Sequence, residues 1–136
     1  MSFFNSIITN SLPFLPRWFA KPFAKPYVAG ESSEDALNQV RQLNDKGFDA
    51  TLDILGEHVM NKQLARNITS EYCNLYEQIE EHSLDCTLSV KPTHIGLSIS
   101  ESEAISNMIM IAKKAQEFGN FLRIDMERSD YTDQTF

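Results

Sequence analysis

Asp53, Lys91 and Asp125 stand 38 and 34 residues apart. Each lies at or near the end of a short strand-like run, and a helical run fills each interval. A strand–helix unit repeated at that length implies parallel strands joined by right-handed crossovers. This repeat constrains the fold most. A parallel pair cannot be closed by a tight hairpin, so the helices must cross over the sheet. The order is one helix, then β-α-β-α-β, which places the chain in the α/β class.

The middle strand is the clearest. Within residues 86–90, Cys86, Leu88 and Val90 alternate with Thr87 and Ser89, the period of two that marks a strand. Lys91 shares parity with Thr87 and Ser89, and Pro92 stops the ladder because it has no N–H to donate. A cation is therefore expected on the inward face at the carboxyl end of a strand. In parallel α/β folds ligands bind at that end.

The first strand is expected within 48–55, running into Gly56 and Glu57. The third is expected over 121–126, with Phe121, Arg123 and Asp125 on one side and Leu122, Ile124 and Met126 on the other. Helices are expected over 31–46, capped by Ser32 or Ser33, and over 62–82, with a stripe of Leu64, Ile68, Tyr72, Leu75 and Ile79. A third opens at the capping box Ser100-x-x-Glu103, with Ile105, Met108, Ile109, Ala112 and Ala115 on one face, and Gly119 closes it.

Residues 1–30 form a segment of their own, an arm rich in proline and aromatic residues; residues 31–136 hold the strand–helix repeat. The arm carries Arg17, Lys21 and Lys25 and no acid, within a chain of net charge −7. It reads as packing on the domain's outside, with a presequence or a membrane-surface anchor as alternatives. The overall negative charge argues against nucleic acid as a partner. No apolar run approaches a membrane span. Two cysteines are too few for a disulfide framework or a zinc site, and a reducing compartment is the simple reading. His58, His82 and His94 lack metal-ligand spacing and read as surface or loop residues, so no metal is expected.

Three strand ends side by side would form a polar rim: Glu57 just past the first, Lys91 on the second, Asp125 on the third. An inward lysine there can hold a carboxylate or phosphate as a point charge, or form a Schiff base if its pKa is lowered. It can also serve only to neutralise Asp125 or Glu57. Arg123 points inward by parity, with Asp53 as its plausible partner.

Four phrases occur in order along the chain: Tyr27-Val-Ala-Gly-Glu31, Thr51-Leu-Asp-Ile-Leu-Gly-Glu57, Leu88-Ser-Val-Lys-Pro-Thr-His94 and Arg123-Ile-Asp-Met-Glu-Arg-Ser129. Together they resemble the amino-terminal half of the flavin-dependent proline dehydrogenase family, most closely its short, monofunctional bacterial type, over about residues 20–136. Many relatives have Leu-Thr-Gln after the lysine where this chain has Pro92, Thr93 and His94, which alters the loop and keeps the lysine.

The resemblance implies a (β/α)₈ barrel of the TIM type, present here in part, with FAD across its carboxyl-terminal face. It implies oxidation of L-proline to Δ1-pyrroline-5-carboxylate by hydride transfer to the flavin, and a quinone as electron acceptor. By position, Lys91 would bind the substrate carboxylate, Asp125 would be the catalytic acid residue, Met126 would pack against the flavin, and Glu57 would be the gate that pairs with a distant arginine. Met126 has outward parity, so that contact requires the strand to end or bulge there. A cytoplasmic location is implied, with peripheral association at the inner membrane as the alternative.

Such a barrel takes about 250 residues, so the 136-residue chain by itself is expected neither to hold FAD nor to oxidise proline. Two other readings stand beside this one. The first is a barrel aldolase using Lys91 as its Schiff base. The second is a non-catalytic half-barrel interaction module, whose open sheet edges predict self-association.

Overall fold

The computed structural model describes residues 29, 30 and 32–136. Nearly all of the arm at residues 1–30 lies outside the described residues, as does Glu31. Residues Leu37–Phe136 form one compact unit, which holds the sheet and the core.

Helix α1 spans Ser33–Asn44. Its cap is Ser32, whose Oγ accepts the Asp35 N–H at 3.2 Å. Gly47, at φ 84°, turns the chain just past its end. Asn44 then ties this end to the sheet: its amide group donates to the carbonyls of Phe48 and Asp85, and its oxygen accepts the Asp85 N–H.

Three strands follow, β1 Ala50–Asp53, β2 Cys86–Val90 and β3 Leu122–Ile124, separated by α2 Lys62–Glu81 and α3 Glu101–Glu117. All pairing is parallel, in the spatial order β1-β2-β3. The expected β-α-β-α-β order holds, and β2 has the expected bounds. The outer strands are shorter than their apolar runs, because ladder pairing stops where the loops turn away. A 3₁₀ turn, Ser129–Tyr131, and a short helix α4, Thr132–Thr135, follow β3.

Register assigns the faces. Leu52 pairs with Leu88, and Leu88 with Leu122; Asp53 pairs with Ser89, and Ser89 with Arg123. One face is therefore apolar and the other polar. Cys86, Leu88 and Val90 join Ile68, Tyr72, Leu75, Tyr76 and Ile79 of α2 and Ile111 and Ala115 of α3 in a single core. Burying a side chain such as Leu88 or Ile111 contributes about 1.5–3 kcal/mol, so this layer is the main source of stability.

Helix α2 buries four residues of its expected stripe, Ile68, Tyr72, Leu75 and Ile79, whereas α3 is rotated from its expected face. On α2, Ala65 is buried and Leu64 is exposed in its place. On α3 the buried residues are Glu103, Ala104, Asn107, Ile111 and Ala115, whereas Ile105 and Ile109 are 57% and 48% exposed. Polar contacts set this rotation. Ser100 caps the helix by accepting the Glu103 N–H. Glu103 meets Arg66 at 2.8 Å and Lys62 at 3.6 Å, and Asn107 donates to the Ile95 carbonyl at 2.8 Å. With residues 103 and 107 turned inward, 111 and 115 follow one helical turn at a time. No described helix is long and apolar enough to cross a membrane.

Candidate active site

The polar face rises in layers toward the carboxyl ends of the strands. Lowest are Thr51 and Thr87, their hydroxyls 3.1 Å apart. Above them sit Asp53, Ser89 and Arg123 in register. Lys91 and Asp125 stand at the top, each two residues further along its strand direction.

Lys91 and Asp53 form the central pair. Lys91 Nζ donates to Asp53 Oδ2 at 2.6 Å, with the two side chains 26% and 25% exposed. Tyr72 reaches from α2 and donates to Asp53 Oδ1 at 3.1 Å, while its oxygen accepts the Ile54 N–H at 3.3 Å. Asp53 is thus held from both sides. Its hydrogen bond raises the pKa of Lys91, outweighing the lowering caused by burial, and the charges of Asp53, Asp125 and Glu127 add to the effect. The ammonium stays protonated across the physiological range. Burial, then the Asp53 charge, pushes the Tyr72 phenol far above its ordinary value, so it remains a donor.

This pairing differs from expectation. Lys91 takes Asp53 as its partner rather than Asp125 or Glu57, since Asp53 lies on the adjacent strand within reach of its stem. Arg123 does not pair with Asp53. It is exposed and makes no ion pair among the described residues. Asp125 instead accepts from Ser89 Oγ at 2.5 Å, and its N–H donates to the Val90 carbonyl at 3.0 Å. Asp125 and Lys91 thus sit at the same end of the sheet, on neighbouring parallel strands.

Glu57 is exposed, and its side chain has no partner among the described residues. Met126 is half-exposed and lies beyond β3, which ends at Ile124. The strand therefore stops before Met126, the condition its outward parity demanded.

Sequence reasoning missed Thr93, Glu127 and the burial of His94. Thr93 and Glu127 join through two hydrogen bonds, from the Thr93 N–H and hydroxyl to the two carboxylate oxygens. The parity that put Arg123 and Asp125 inward extends to Glu127 and could have found it. His94, expected at the surface or in a loop, lies in the turn after β2 but is buried. Its Nδ1 has no hydrogen-bond partner. Burial lowers its pKa, and the Lys91 charge adds to this against the raising effect of Asp53, Glu71 and Glu127. His58 is half-buried, its ring 5.7 Å from that of Tyr131, and His82 ends α2. No group of metal-ligating side chains occurs among the described residues.

Residues 36–136 match the family model described as proline dehydrogenase. Proline dehydrogenase 1 of Bacillus subtilis subsp. natto is 36% identical over 122 residues, which is 86% of this chain and 40% of that protein. Proline dehydrogenase of Deinococcus radiodurans is 30% identical over 115 residues, 82% of this chain and 37% of that protein. A solved structure of proline utilization A (PutA) from Bdellovibrio bacteriovorus, inactivated by N-propargylglycine, matches with a TM-score of 0.71 at 20% identity. That match covers 79% of this chain and 14% of the other, and it shows a shared fold. The chain spans about 40% of the length of the curated relatives it matches.

Proposed function

The chain belongs to the proline dehydrogenase family, and we propose that it is the amino-terminal portion of an FAD-dependent oxidoreductase that converts L-proline to Δ1-pyrroline-5-carboxylate. On this reading the three parallel strands are part of a (β/α)₈ barrel. The observation that carries it is the Lys91 ammonium, held protonated by Asp53 at the carboxyl end of the sheet.

An amine charged across the physiological range suits an anionic group on the substrate. Lys91 would hold the proline carboxylate, and Asp53, itself braced by Tyr72, would keep the amine aimed. Orientation is a large share of what a protein adds to cofactor chemistry. Asp125, fixed by Ser89, is the carboxylate available to the substrate's amine. Glu57 is exposed at the rim, where an arginine from elsewhere could pair with it and close the site.

The described residues fit a flavin in part. Met126 offers a half-exposed, polarizable thioether beside Asp125, suited to contact with an aromatic ring system. Bound FAD would supply the acceptor for the substrate's hydride. A quinone as final electron acceptor belongs to the same proposal. So does a cytoplasmic location, with peripheral association at the inner membrane as the alternative.

The Schiff-base alternative requires a lysine whose pKa is lowered. Lys91 is shifted the other way, so an aldolase reading is not favoured.

A chimera tests the proposal. Residues 1–136 are joined to the remaining carboxyl-terminal part of Bacillus subtilis proline dehydrogenase 1, and proline-dependent reduction of a quinone is followed with FAD present. The chimera should turn over, and the 136-residue chain alone should not. Lys91→Met should lower kcat/KM by about 100-fold, the scale of removing one partner from a close charge pair. A folded, flavin-loaded chimera without proline turnover, or with turnover indifferent to Lys91→Met, would refute it.

A further inference from the structure

The loops that follow the three strands meet at one residue. Thr93 is fully buried, and all its polar atoms are engaged between loops. Its hydroxyl donates to Glu127 Oε1 at 2.5 Å and accepts the His58 N–H at 3.0 Å. Its own N–H donates to Glu127 Oε2 at 2.8 Å, and its carbonyl accepts the Val59 N–H at 3.1 Å. A carboxylate accepting two such bonds is a strong tie, because bonds to an ionised acceptor are roughly twice as strong as neutral ones.

The position of this tie gives it meaning. His58 directly follows Glu57, Thr93 lies two residues past Lys91, and Glu127 lies two residues past Asp125. One hydroxyl therefore sets the spacing of three loops, each carrying one of the rim's charged side chains.

We infer that Thr93, acting through Glu127 and the His58 amide, is a positioning residue that holds Glu57 and Asp125 in register with Lys91. The inference rests on the reading above for what the rim does, but its test does not require turnover. Valine has the shape of threonine without the hydroxyl. Thr93→Val leaves the His58 N–H and one oxygen of Glu127 without their partner, while the backbone bonds of residue 93 remain.

Amide hydrogen exchange of the 136-residue chain, read by NMR, distinguishes the outcomes. In Thr93→Val, protection of the His58 amide should fall roughly tenfold, the scale of one lost hydrogen bond, with α2 and β2 unchanged. Thr93→Ser keeps the hydroxyl and should restore protection to within about twofold. Glu127→Ala should expose the Thr93 amide and leave the His58 amide protected. The proposal is overturned if His58 protection survives in the valine variant or if serine fails to restore it. It is also overturned if protection falls throughout α2, which would mark a general role in stability, or if the His58 amide of the wild-type chain is already unprotected. The chimera assay judges proline oxidation separately, so the two failures are distinguishable.

Discussion

Lys91 Nζ lies 2.6 Å from Asp53 Oδ2, bridging β1 and β2 above the register pair Asp53 and Ser89. The bridge joins neighbouring strands two residues out of register. A lysine stem spans that offset, and the rim gains a fixed cation without burying an unpaired charge. Asp53 is the hinge of the arrangement, since Tyr72 holds its other oxygen.

Asp53→Asn should return the Lys91 pKa toward its ordinary value and cost about 1 kcal/mol at neutral pH, a modest figure because the pair is partly solvated. The folded pKa of Lys91 lies above its unfolded value of roughly 10.4. Its contribution is therefore complete below that value and is lost as pH rises through the folded pKa. Urea denaturation between about pH 8 and 11 should show a decline above about pH 10.4 that is shallower in the variant. Tyr72, also shifted upward and partly by Asp53, contributes a loss in the same range that shrinks in the variant, so the Lys91 side-chain titration is the decisive reading. An unchanged Lys91 side-chain titration in Asp53→Asn would contradict the pairing.

Acid should weaken the fold through His94. Its pKa is depressed, chiefly by burial, so stability is complete above the unfolded value of about 6.5 and declines as pH falls through the folded one. Protonation would charge a ring whose Nδ1 has no acceptor. Unfolding free energy measured at pH 7 and pH 5 should fall more in the wild type than in His94→Gln. Equal losses would show that His94 is not the group responsible.

Gly56→Ala should destabilise by about 1–3 kcal/mol, the usual cost of overpacking. A Cβ there would lie 2.2 Å from His94 Nε2. His94→Ala removes the ring, so the double variant should lose less than the two single losses combined. Strict additivity in thermal or urea unfolding would place the strain elsewhere.

The rotation of α3 yields a contrast between isoleucines. Ile111→Ala should cost about 2–5 kcal/mol, as a buried truncation. Ile105→Gln, on the exposed face, should change stability by no more than about 0.5 kcal/mol. Comparable losses in the two variants would mean that the helix buries the face its apolar spacing suggests.

Much of the fold was legible because β2 alternates cleanly and its proline stop is unambiguous. That parity alone put Ser89 and Lys91 on the polar face, and the capping box set the start of α3. The rotation of α3 was not legible. Glu103 and Asn107 look like solvent residues until Arg66 and the Ile95 carbonyl are known, and those contacts are set by tertiary packing. Ala65 displaced Leu64 similarly, since a small residue fits where the helix approaches the Gly96 turn. At the rim, position was legible and partnership was not. Lys91, Asp125 and Glu57 all follow strands as expected, but the choice of Asp53 depends on strand register. Thr93 was read as part of a motif, and nothing in one sequence told that its hydroxyl would join three loops.

The strands lie side by side in the order in which they are encoded. Nothing made later has to be threaded between elements made earlier. At a synthesis rate of about 5–20 residues per second, each successive strand–helix unit of this chain leaves the ribosome over roughly 2–7 seconds. Elementary helix and loop closures are far faster. Every new strand can therefore find its predecessor already waiting as a template, and the sheet can be laid down one plank at a time during translation.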